Sequence, residues 1–117
     1  MNTNNALFAN SEGQLAVDVM ETAEAVIIRS AIAGVEEKDL DVSVNDDMVT
    51  IRGERHVENL EDSATVHYAE CFWGAFSRSI ILPVKVRADE AVADLKNGIL
   101  TVTIPKAKAR TRVPIKA

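Results

Sequence analysis

The sequence predicts an all-β domain, an antiparallel sandwich of seven or eight short strands joined by Greek-key links. Three observations carry that expectation. Apolar and polar residues alternate in short runs along most of the chain, as half-buried strands require. Turn-forming residues separate the runs, and the five glycines Gly13, Gly34, Gly53, Gly74 and Gly98 each stand near a run's end. No segment shows convincing helical periodicity, so the apolar faces must cover one another sheet against sheet. At 117 residues the chain suffices for one domain with one core.

The polar, Asn-rich start, with Leu7-Phe8 as its adjacent bulky apolar pair, reads as a flexible arm over residues 1–14. Leu15, Val17 and Val19 then alternate with Ala16, Asp18 and Met20, predicting a first strand. Ala25 to Ala33 is β-branched enough for a central strand, which Gly34 helps to end. A charged turn, Glu36-Glu37-Lys38-Asp39, leads into Leu40, Val42 and Val44, alternating with Asp41, Ser43 and Asn45. Asn45-Asp46-Asp47 has turn chemistry. Val49 and Ile51 continue the apolar face on the return strand until Gly53-Glu54-Arg55 ends the pattern.

The stretch from His56 to Thr65 is polar, acidic and long for a compact domain, which suggests a functional loop. Val66 to Cys71 has the composition of a short additional strand. An aromatic patch of Phe72, Trp73 and Phe76 follows, and Phe76 to Pro83 reads as a strand that proline stops. The last two strands meet at Asn97-Gly98, a pair suited to the two positive φ angles of a type I′ turn. That turn sets Lys96 opposite Ile99, Leu95 opposite Leu100, Ala93 opposite Val102 and Ala91 opposite Ile104. Six apolar side chains then share one face, and Asp94, Lys96, Thr101 and Thr103 face water. The domain therefore spans residues 15–105, and 106–117 form a tail.

Charge and composition narrow the function. The net charge of −5 is unevenly placed: Lys106, Lys108, Arg110, Arg112 and Lys116 occupy a tail without acids, leaving residues 1–105 at −10. Such a body repels phosphate, and no aromatic residue stands among the tail's positives to stack a base, so nucleic acid is not the expected partner. No apolar run approaches the ~20 residues of a membrane helix. The opening Met-Asn-Thr-Asn-Asn lacks the basic and apolar segments of a secretory signal, and the lone Cys71 cannot close an internal disulfide. A soluble cytoplasmic protein without membrane contact is the expectation.

Chemistry-bearing constellations are missing as well. His56 and His67 stand eleven residues apart without clustered cysteines, which argues against zinc. His67 and Cys71, four apart on a strand, would be roughly 13 Å from each other, too far for a nucleophile and its base. The acid pairs Glu36-Glu37, Asp46-Asp47 and Asp89-Glu90 fall in turns, and the isolated glycines form no phosphate loop. No enzymatic activity and no cofactor are expected.

In order and content the motifs resemble the small heat-shock protein family of bacterial and archaeal type, whose shared module is the alpha-crystallin domain. The family signature Ala-x-x-x-Asn-Gly-x-Leu is matched from Ala93 through Asn97 and Gly98 to Leu100. Upstream, Val19 to Thr22, Ala33-Gly34-Val35 and Thr50 to Arg55 resemble its early strands, and Glu70 to Arg78 followed by Leu82-Pro83 resembles the segment after its variable loop. Val113-Pro114-Ile115 is similar to its C-terminal Ile-x-Ile motif. Two departures stand out: Ile32-Ala33-Gly34 where Leu-Pro-Gly is usual, and about 14 residues before the domain where members carry a longer apolar arm.

The resemblance implies an immunoglobulin-like β-sandwich and an ATP-independent chaperone that holds non-native client proteins. It also implies assembly with copies of itself. The loop would carry a strand to the partner subunit in a swapped dimer, placing Val66, His67, Tyr68 and Glu70 at the interface with Arg78, which pairs with an acid there. Val113, Pro114 and Ile115 would dock on a neighbour in a groove between Leu40, Val42 and Val44 on one strand and Ala91, Ala93 and Leu95 on another. Client contacts would fall in that groove and at Leu7 and Phe8. A co-chaperone or adaptor of the CS-domain type is the rival reading; it would lack the tail motif and the long loop. A generic immunoglobulin-like binding module is disfavoured by the missing signal and disulfide.

Overall fold

The computed structural model describes residues 13–57, 63–108 and 113–117. Eight strands follow in order: β1 (Gly13–Gln14), β2 (Asp18–Glu21), β3 (Ala25–Ala31), β4 (Leu40–Asn45), β5 (Met48–Arg55), β6 (Gly74–Ile81), β7 (Val92–Lys96) and β8 (Ile99–Pro105). They form two four-stranded sheets, ordered β1-β6-β5-β4 and β2-β3-β8-β7. The predicted all-β sandwich is thus the observed architecture. Its one parallel pairing is β1 with β6, and its helical content among the described residues is two single 3₁₀ turns, Glu37–Asp39 and Ala88–Glu90.

The Asn97-Gly98 turn fixes the register of the second sheet. Both residues have positive φ, 53° and 76°, and Lys96, Leu95 and Ala93 face Ile99, Leu100 and Val102 as the turn chemistry requires. From β8 the inner face passes to β3, where Val102 meets Ile28 and Ile104 meets Val26, all four buried. In the other sheet Val49 and Ile51 on β5 lie under Ile80 and Arg78 on β6. Leu15, Ile32, Val35, Phe76, Leu82 and Leu100 complete the core, which gathers the predicted apolar faces.

Three local expectations need correction. Leu15 to Val17 is not strand: Leu15 belongs to the core, but residues 15–17 carry the chain from β1 in one sheet to β2 in the other. Two of their carbonyls accept from side chains and not from a ladder, Leu15 O from Arg78 Nη1 at 3.1 Å and Ala16 O from Ser30 Oγ at 2.7 Å. Gly53 does not end β5, which runs on to Arg55, because Gly53 lies beneath Phe76. A Cβ there would stand 2.5 Å from Phe76 Cζ, so glycine marks a close approach inside the strand. Val66 to Cys71 forms no strand and pairs with none among the described residues.

Candidate functional site

The sheet orders place β4 and β7 at edges, where no further strand among the described residues pairs with either. Leu40 and Val42 from β4, Ala93 and Leu95 from β7 and Leu100 from β8 line a groove of about 450 Å³ between them. Alternation explains the lining: these residues occupy inward positions, and at the margin Leu40, Val42, Ala93 and Leu95 are only partly covered while Leu100 beneath them is buried. Hollows of similar volume exist elsewhere, such as one of about 370 Å³ beside Asp18, Arg29 and Ile99; what sets the groove apart is its place between the two edge strands. Four of the six predicted groove residues meet here. Val44 and Ala91 pack against the core without lining the groove.

Sequence reasoning missed three contributors: Leu100, which closes the floor, and the acids Glu37 and Asp94 beside it. Asp94 was legible as a water-facing residue of β7 and Glu37 as part of a charged turn. Their placement over one groove depends on how the two sheets stack.

Val113 and Ile115 are 79% and 95% exposed, and the chain's own groove does not take them up. The root of the tail is held firmly. Val86 pairs with Lys106 in an isolated antiparallel bridge, Lys106 N donates to Glu24 O at 2.8 Å, and Lys106 Nζ lies 2.6 Å from Glu21 Oε2.

The second candidate region is the excursion between β5 and β6. Val66 and Tyr68 are almost wholly exposed, with His67, Glu70 and Cys71 exposed beside them and Trp73 half-exposed. Large apolar side chains in water on a segment without ladder partners mark a surface that a second molecule can cover. Arg55 brackets its roots: Nε donates to Ala33 O at 2.7 Å, Nη1 donates to Phe72 O at 3.2 Å, and the guanidinium lies 5.6 Å over the Phe76 ring. Nothing in the sequence beyond a lone positive charge pointed to that role.

Arg78 stands opposite Ile51, on the inward face of β6, and binds the Leu15 carbonyl. It forms no ion pair among the described residues. Leu7 and Phe8 lie outside the described residues. His56 lies 3.3 Å from Asp39 and 3.8 Å from Glu54 across its two ring nitrogens. No group of three or more His, Cys, Asp or Glu among the described residues has the arrangement of a metal site. No helix among them is long and apolar enough to cross a membrane.

Residues 18–116 match the model of the Hsp20/alpha crystallin family. The chain belongs to that family. Among curated relatives, Spore protein SP21 of Stigmatella aurantiaca is 42% identical over 107 residues, covering 88% of this chain and 63% of that protein. The 17.6 kDa class I heat shock protein 1 of Arabidopsis thaliana is 41% identical over 97 residues, covering 82% and 63%. The chain therefore spans less than two thirds of the length of these relatives. Among solved structures, heat shock protein 16.0 of Schizosaccharomyces pombe superposes with a TM-score of 0.74 at 33% identity, over 90% of this chain and 100% of that one. A small heat-shock protein of Xylella fastidiosa superposes with a TM-score of 0.77 at 26% identity, over 92% and 98%. The two-sheet architecture is the fold of that family.

Proposed function

We propose that this chain is an ATP-independent holdase, a chaperone that binds non-native proteins through exposed apolar surface and keeps them from aggregating. The observation that carries the reading is the pairing of an open apolar groove with an exposed Val-Pro-Ile tail on the same chain. Family membership and small heat-shock relatives support it. The physics is mass action: a client's apolar segment meets the chaperone before it meets another client, and no bond or nucleotide is consumed.

Two contacts between copies complete the proposal. The exposed segment around Val66, His67, Tyr68 and Glu70 adds to an edge of a partner, with Arg78 near the seam, and the tail of one copy docks in the groove of another. Burying Val113 and Ile115 contributes on the order of 3 to 6 kcal/mol. Ordering the tail and joining subunits opposes this by ~4 kcal/mol or more. One docked tail is therefore marginal, and several held at high local concentration are stable yet exchangeable. Pro114 limits the ordering term by holding the motif extended.

The test is suppression of heat-induced turbidity of an unrelated enzyme with no nucleotide present. Suppression that requires ATP would overturn the holdase reading.

A further inference from the structure

We propose that Glu37 and Asp94 make the groove selective for the positively charged tail of a second copy, so that salt concentration governs how far the tail occupies it. The inference rests on the tail-docking reading above and adds what discriminates the tail from other apolar segments. Leu40, Val42, Leu95 and Leu100 offer a slot that accepts any chain with two spaced apolar side chains. Apolar contact alone has little means of telling a sibling's tail from a client.

The rim supplies the discrimination. Neighbouring acids are already engaged: Glu36 pairs with Lys38 at 3.3 Å, and Asp39 lies 3.3 Å from His56. Glu37 and Asp94 form no ion pair among the described residues, and both line the groove. On the tail, Lys106 is committed to Glu21, but Lys108 and Lys116 are exposed and unpaired among the described residues, and Lys116 directly follows Ile115. The whole segment after Pro105 has five positive residues and no acid. Acidic lips beside an apolar slot thus favour a cationic segment and penalise an acidic one.

The two components respond oppositely to salt. Attraction between exposed charges fades as the screening length falls from about 10 Å at 0.1 M to about 3 Å at 1 M. Apolar contact is not weakened by screening. Each rim pair is worth about two- to fivefold in binding at low salt.

The experiment follows the mass of the full chain by light scattering and sedimentation at one protein concentration, from about 0.02 to about 0.5 M sodium chloride. The parent protein is expected to shift toward smaller species as salt rises. The Glu37→Lys/Asp94→Lys variant, shown folded by circular dichroism, is expected to be smaller at low salt and to lose that shift. Adding Lys108→Glu/Lys116→Glu to it is expected to restore assembly. In parallel, a labelled peptide of tail residues 108–117 should bind the parent at least about fivefold more tightly than its charge-reversed counterpart. Salt-independent mass, or equal binding of the two peptides, would overturn the selectivity. The docking reading is checked separately with Val113→Gly/Ile115→Gly. If that variant disassembles while the charge variants do not, docking stands and the electrostatic selection falls. If it keeps the parent's mass, docking itself falls.

Discussion

Replacing Gly53 with alanine adds one methyl group where β5 meets Phe76 of β6 and Leu40 of β4. The new carbon would stand 2.5 Å from Phe76 Cζ, 2.9 Å from Phe76 Cε1 and 2.9 Å from Leu40 Cδ2. Carbons in favourable contact lie about 3.5–4.0 Å apart, so both side chains must move. Phe76 has little room, being buried with the Arg55 guanidinium 5.6 Å over its ring. Leu40 yields more easily, since one side of it opens on the groove. Gly53 lacks a left-handed φ, so the effect is steric and not conformational. Overpacking of this kind costs about 1–3 kcal/mol, which for a domain of this size lowers the melting temperature by about 4–12 °C. Circular dichroism melts at matched protein concentration measure it, because self-association moves the midpoint. Leu40 displaced into the slot should also weaken binding of the tail peptide. A midpoint within about 1 °C of the parent would refute the packing argument, and normal peptide binding would refute the link to the groove.

Two further substitutions test separate features. Arg55→Ala removes two backbone acceptors' partner and the contact with Phe76; amide exchange should accelerate near Phe72 and Gly74 more than in β3, with a loss of about 1–3 kcal/mol. Arg55→Lys is expected to rescue little, because a single ammonium does not reproduce the fork that spans Ala33 and Phe72. Ser30→Ala, at a buried hydroxyl that donates to Ala16 O at 2.7 Å, should destabilise by about 0.5–1.5 kcal/mol in urea unfolding without changing the mass of the assembly.

How far the sequence revealed this molecule depended on the range of the signal. Asn97-Gly98 dictated a register that the ladder reproduces from Lys96 through Ala93, because turn chemistry is local. The alternation of Leu40, Val42 and Val44 likewise located an edge strand with one inward face. The strand expected at Leu15 failed for a non-local reason: the period-2 pattern is the same whether the chain stays in a sheet or crosses between two, and the bonds from Ser30 and Arg78 decide. Gly53 read as a terminator because its neighbour in space, Phe76, is 23 residues away in sequence. Half of each functional surface was legible in the same sense. The apolar floor of the groove followed from periodicity, whereas Glu37, Asp94 and the bracket at Arg55 arise from how distant segments stack.

The anchored root of the C-terminal segment has a mechanical consequence. With Ala107 N bonded to Lys85 O at 3.0 Å and Lys106 clasped to Glu21, the last fixed point is Ala107, and Lys108 becomes the pivot. Four residues lie between Lys108 and Val113, and the five Cα–Cα steps can span at most about 18 Å. On the docking proposal, only a copy whose groove comes within that radius can receive the tail. On the same proposal each residue inserted or deleted between Lys108 and Val113 moves that boundary by about 3.5 Å, so segment length, as much as side-chain chemistry, would decide which copies a tail can reach.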